Sequence, residues 1–344
     1  MLTYIIMLLL CFFLAFLVLY RDRKGKSSDF FDIEATGTMR GFWCIIVLLV
    51  HVPAVYQNTL QDALGSFAYI AVSFFFMTSG YGLMLSIQKN AETIRRGFWR
   101  RRLSKLLLPM LFVNIFRVVT VLIVSGTFQW TGFFHINGFV KELLALYLLF
   151  WIVFRFLPKT LSLNAKRWIL CGAVMLLSIG IYLWKENPLF GWSVEAFGFI
   201  YGVLLAGAKD KIETFAKKQW ILKCGALVVI SLVLGVGYLK FKAIPIVGDY
   251  ILRVFLGAAL LGLTVFLNAK FPLGNPIGRF LGRVSYEVYL LQDVVFYIGM
   301  AIPFVFDSGV FILLCLVLTV LISTLINVLA GLIHVFLKRN EKVI

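Results

Sequence analysis

The chain has 344 residues and a formal charge of +17, and it is 61% hydrophobic, 16% aromatic and only 14% charged. Soluble proteins run to roughly 45–50% apolar and about 25% charged, and a soluble fold of this length lacks the interior to hide such an excess. An ordinary soluble enzyme, a disordered chain and a disulfide scaffold are thereby excluded, and nucleic acid is not needed to explain the basic balance, because a membrane chain distributes positive charge for its own reasons.

Apolar runs long enough to cross a bilayer as helices lie near residues 2–20, 39–58, 64–88, 106–126, 138–157, 167–184, 190–208, 221–239, 248–268, 280–301 and 308–337. The expected fold is all-α: a polytopic membrane bundle of about 11 transmembrane helices. Residues 1–20 form an N-terminal anchor, residues 21–38 a polar cytoplasmic linker with Ser27, Ser28, Asp29 and Asp32, and residues 39–344 a ten-helix body. Loops alternate sharply in charge. One set, together with Arg40, holds 26 of the 33 Lys and Arg residues, whereas the opposite loops hold Lys185, Lys240 and Lys242. The positive-inside bias puts the rich set in the cytoplasm, the N-terminus outside and the C-terminus inside, which requires an odd number of spans. Residues 2–20 lack a basic leader and a small-residue cleavage site, so they read as a retained anchor.

The five cysteines and three histidines are scattered and show no metal-ligand spacing. No P-loop, GxGxxG fingerprint or GxSxG elbow occurs. The polar residues inside apolar runs carry the chemistry, because an ionisable group there is costly unless it is used. In the second run Arg40 precedes His51 by eleven residues, about 16 Å of helix at 1.5 Å per residue, with both on one face. That spacing puts the imidazole near mid-membrane, and Pro53 predicts a kink beside it. A neutral imidazole can deprotonate a hydroxyl or accept an acyl group; the plainer alternative is a hydrogen bond to a neighbouring helix. Ser79, Gly80 and Gly82 in the third run make a small face for helix packing.

The segment from Arg95 to Lys105 carries six cations, with Phe98 and Trp99 among them. Guanidinium forks bind phosphate oxygens in bidentate fashion, so Arg100, Arg101, Arg102 and Lys105 are candidate phosphate ligands; topology and attraction to anionic lipid explain part of the charge. Arg117, Lys141, Glu142, Glu195, Arg253, Glu287 and Asp293 are too many interior or edge charges for a body that only packs, and they predict a polar cavity. Lys141 and Glu142 begin the fifth run at its outer end, where Glu142 has Lys141 or Arg117 as possible partners. Ser285, Tyr286, Tyr289, Gln292 and Asp293 form a polar stripe in the tenth run, suited to substrate contact or to bonding between helices.

In their order along the chain, these segments resemble the integral membrane acyltransferase family 3, which includes O-acetyltransferases of bacterial surface polysaccharides. An RGxAxxxVVxxH-like segment ends in His51 and starts at Arg40. An FFxxSGY-like segment is Phe75–Tyr81, an RxxR-type pair before a proline is Arg102 and Lys105 ahead of Pro109, a WxxxxFxxGxLLA-like segment is Trp192–Ala206 with Gly202, and an SYxxYLxH-like segment is Ser285–Gln292. The resemblance implies a ten-helix fold, essential roles for Arg40 and His51, and transfer of an acyl group, usually acetyl, from cytoplasmic acetyl-CoA to an acceptor on the outer face. It implies no metal. Lys105 replaces the second arginine of the pair, and Gln292 stands where histidine is common, which concentrates the base or acyl-carrier role on His51. Many relatives carry an extracytoplasmic esterase-like domain that this sequence lacks, so acceptor handling falls to the membrane body or to a separate extracytoplasmic enzyme.

The expectation is a membrane O-acyltransferase of the bacterial plasma membrane. Acyl-CoA phosphates would lie on Arg100, Arg101, Arg102 and Lys105, and Lys141, Glu142, Glu195, Ser285, Tyr286 and Gln292 would face substrate or cavity. The acceptor would be a glycan or other hydroxyl compound. A transporter or flippase of a lipid-linked or anionic glycan is the rival reading.

Overall fold

The computed structural model describes residues 2–22, 30–94, 97–184 and 193–340, and among them all regular structure is helical. Arg23, Lys24, Lys26, Ser27, Ser28, Asp29, Arg95, Arg96, Lys185, Trp192 and Lys342 lie outside the described residues. In chain order the helices are α1 (Leu2–Leu19), α2 (Ile33–Val50), α3 (Thr59–Gly65), α4 (Ala68–Lys89), α5 (Phe98–Ser125), α6 (Gly138–Phe156), α7 (Leu163–Leu183), α8 (Phe197–Gly207), α9 (Lys209–Lys217), α10 (Trp220–Phe241), α11 (Arg253–Lys270), α12 (Pro276–Ala301) and α13 (Ser308–Asn340).

Among the described residues, eight helical segments are long and apolar enough to cross a membrane: α1, α2, α4, α5, α7, α10, α13 and Val247–Lys270, which joins a π-helical turn to α11. The other three expected runs coincide with α6, α8 and α12. Helix α8 is short, with 11 residues. Helices α6 and α12 carry Lys141, Glu142 and Arg155, and Arg279, Arg283, Glu287 and Asp293, respectively. A helix that lines a polar site gives up hydropathy to do so, and these two line the cavity described below.

Several boundaries differ from the sequence expectation. Helix α2 begins at Ile33, inside the expected linker, because Asp32 caps it by accepting the Ala35 amide at 2.8 Å. The same helix ends at Val50 instead of running to 58. Pro53 has no N–H for the carbonyl of Leu49, so the helix stops, with His51 as its C-cap, and does not kink. Helix α5 starts at Phe98, which puts Arg100, Arg101, Arg102 and Lys105 in its first turns. The short helices α3 and α9 were not expected.

Small residues let two helix pairs approach closely. A Cβ at Gly282 of α12 would overlap the carbonyl oxygen of Gly37 on α2, and a Cβ at Gly202 of α8 would overlap that of Met77 on α4. Helix α1 is bound to the body at both ends. Thr3 donates to Asp307 at 2.6 Å. The fully buried Asn275 donates to the carbonyls of Leu17 (2.8 Å) and Tyr20 (3.2 Å) while accepting the Gly278 amide (2.7 Å) at the start of α12. One side chain thus ends α1 and begins α12.

Candidate functional site

An open cavity of about 1550 Å³ is formed by α2, α4, α5, α6, α12 and α13. Its mouth is cationic, with Lys89 from the end of α4, Arg102 and Lys105 from the start of α5, and Arg279 and Arg283 from the start of α12. Each pair recurs at three- or four-residue spacing and therefore shares one helix face. Glu34 at the start of α2 meets Arg279 at 3.2 Å, which offsets one of these charges. Arg102 lies between the rings of Phe98 and Tyr147, 6.0 and 5.9 Å from their centroids. Pro109 in α5 has no N–H for the carbonyl one turn back; beside that break, Tyr286 of α12 donates its hydroxyl to the carbonyl of Leu106 at 2.9 Å. This bond fixes α12 against α5 along the cavity wall.

Arg40, Phe75, Phe139 and Tyr289 line the cavity deeper in the bundle. The Arg40 guanidinium is 5.7 Å from the Phe75 ring centroid, a cation–π contact, and its Nε is buried without a hydrogen-bond partner among the described residues. The nearby carboxylate of Glu287 exerts an electrostatic pull on it, and Glu287 itself accepts the Asn327 amide at 2.9 Å. Phe139 stacks on Phe76 with centroids 5.1 Å apart and touches Tyr289 at 4.9 Å and Phe75 at 6.2 Å. These rings form an aromatic wall.

His51 is not in this cavity. It is exposed, at the end of α2 away from Arg40, and its Nδ1 is 2.7 Å from the carbonyl oxygen of Val47. A carbonyl only accepts, so Nδ1 carries a proton and donates it to Val47, which leaves Nε2 as the outward ring nitrogen. The imidazole expected near mid-membrane is a helix-terminal one.

The remaining expected site residues separate into groups. Arg102, Lys105, Ser285 and Tyr286 line the cavity with Arg40, whereas Arg100 and Arg101 lie on the exposed side of α5. Ser285 donates to the carbonyl of Gly282 in its own helix at 2.9 Å, a packing bond. Glu195 binds Arg253 at 2.8 Å. Glu142 pairs with neither Lys141 nor Arg117; the charge it feels is Glu195. Gln292 is buried away from the cavity. Lys141 instead belongs to a second group, in electrostatic contact with His135 together with Arg117 and Asp293. Burial, then the cations of Arg117 and Lys141, hold His135 below the ordinary histidine range against the pull of Asp293.

Lys89, Arg279, Arg283 and His334 also line the cavity and were not singled out from the sequence. The four-residue spacing of Arg279 and Arg283, with Tyr286 one turn on, was a readable signal. Lys89 had none beyond its charge, and His334 had none.

Among known proteins, the family model described as an acyltransferase domain, of the acyltransferase 3 type, matches residues 34–328. No curated protein and no solved structure matches.

Proposed function

Because the chain belongs to acyltransferase family 3, whose domain takes in most of its length, we propose that this multi-pass membrane acyltransferase uses acyl-CoA from the cytoplasm, acetyl-CoA foremost. The acceptor is a hydroxyl of an extracytoplasmic cell-envelope glycan, and the membrane is a bacterial plasma membrane. The observation that carries the reading is the make-up of the cavity. Its volume of about 1550 Å³ exceeds the roughly 300–1,000 Å³ of common small-molecule sites, and it runs from a cationic mouth to an aromatic inner end. An acyl-CoA divides in the same way, into an anionic nucleotide and a neutral pantetheine arm that ends in the thioester. Lys89, Arg102, Lys105, Arg279 and Arg283 take the phosphates, and the arm runs inward toward Arg40.

In the transfer step the acceptor oxygen bonds to the thioester carbonyl carbon while its proton passes to Nε2 of His51. The carbon–sulfur bond breaks, its electron pair stays on sulfur, and the thiolate takes the proton back from His51 to leave as free thiol. Arg40 supplies positive charge to the donor where it passes through the cavity. Arg40 and His51 are about 16 Å apart along α2, so the arm reaches the histidine by passing the wall of Phe75, Phe139 and Tyr289.

Purified protein in lipid nanodiscs tests this directly. Acetyl-CoA should bind with an affinity that falls as salt rises, and thiol should be released when acceptor is present. A transporter would move its cargo without consuming a thioester. Absence of both binding and thiol release would sink the proposal.

A further inference from the structure

Behind the residues that line the cavity, one buried group has no use in the mechanism above. Glu142 is 0% exposed, and neither of its carboxyl oxygens has a hydrogen-bond partner among the described residues. It lies on α6 between Phe139 and Leu143, both of which line the cavity. Its electrostatic neighbours are Tyr289, which also lines the cavity, and Glu195. Glu195 already has Arg253 as its partner, so it brings Glu142 no compensation.

A buried carboxyl without a donor is costly, and a leucine of similar size would cost nothing there. The neighbouring Leu143 and Leu146 on the same buried face show that α6 packs well with aliphatic side chains. The missing component is a hydrogen-bond donor, and the flanking Phe139 and Leu143, with the neighbouring Tyr289, separate Glu142 from the cavity they line. Resting on the acyltransferase reading, we infer that Glu142 is a substrate-binding residue that accepts a hydrogen bond from a neutral O–H or N–H donor brought into the cavity's inner end. Two parts of the reaction carry such donors: the acceptor hydroxyl and the amides of the pantetheine arm.

The test compares Glu142→Leu and Glu142→Gln with wild type in nanodiscs, reading the thermal midpoint, the Kd for acetyl-CoA and acyl transfer as base-releasable acetate on cellular glycans. Glu142→Leu should fold with an unchanged or raised midpoint and yet lose function at least tenfold, while Glu142→Gln, which keeps an acceptor oxygen, recovers part of it. A tenfold weaker Kd for acetyl-CoA identifies the pantetheine amides as the donor. An unchanged Kd with lost transfer identifies the acceptor hydroxyl. Full activity in Glu142→Leu overturns the inference, and so does a fall in midpoint that accounts for the lost activity. Wild-type protein that neither binds nor consumes acetyl-CoA removes the acyltransfer reading itself, and the inference with it.

Discussion

His51 and Arg40 share one helix but not one environment, and that separation decides what each can do. The guanidinium is inside a cavity against an aromatic ring, whereas the imidazole caps the far end of α2 with Nδ1 committed to Val47. A base fixed in one tautomer loses little on reaching the transition state, and such a group contributes typically 10²–10⁴-fold. His51→Gln should therefore cut acyl transfer by about that factor while leaving acetyl-CoA affinity within about twofold, because the binding cations are elsewhere. Titration of acetyl-CoA alongside a transfer assay checks both halves. A parallel loss of binding would show that the histidine supports the cavity and not the chemistry.

At the scale of elements, close packing and shared hydrogen bonds meet where α1, α2 and α12 converge. Gly37 and Gly282 bring the backbones of α2 and α12 together, and Asn275 satisfies the end of α1 and the start of α12 at once. Replacing Asn275 with leucine removes an N-cap worth about 1 kcal/mol and leaves buried carbonyls unpaired at about 1–3 kcal/mol. The expected loss is about 2–4 kcal/mol, read as a lower unfolding midpoint in detergent, with a weaker effect on the isolated binding step. That contact also separates what the sequence discloses from what it conceals. The apolar runs were legible because a spanning helix must satisfy its backbone within one long hydrophobic segment. The start of α2 was missed although Asp32 is a readable cap, because hydropathy rises only after it. Arg279 and Arg283 passed as topological charges, since their convergence with Arg102 and Lys105 depends on how α5 and α12 pack. The same dependence hid the isolation of Glu142, because nothing in a linear sequence says which of Lys141, Arg117 or Glu195 will be its neighbour.

Across the whole molecule, charge ties orientation to function. The cations that mark one set of loops for the cytoplasm are partly the cations of the cavity mouth, so under the proposed topology the cavity opens toward the compartment that holds acyl-CoA. Topology and donor site are then one property, and a single labelling experiment can test both. Cys11 is the exposed cysteine among five, the others being buried, so a Cys11→Ser background is nearly silent to aqueous reagents. A cysteine placed at Arg283, an exposed position on the cavity lining, should react with a membrane-impermeant maleimide in inverted vesicles and not in intact cells. Acetyl-CoA should slow that reaction several-fold, and inorganic phosphate at equal concentration should slow it less, because it lacks the arm that fills the inner end. Labelling from the outer face would reverse the orientation and leave the cavity facing away from its donor. Labelling from the inner face without protection would keep the topology and deny the cavity its ligand.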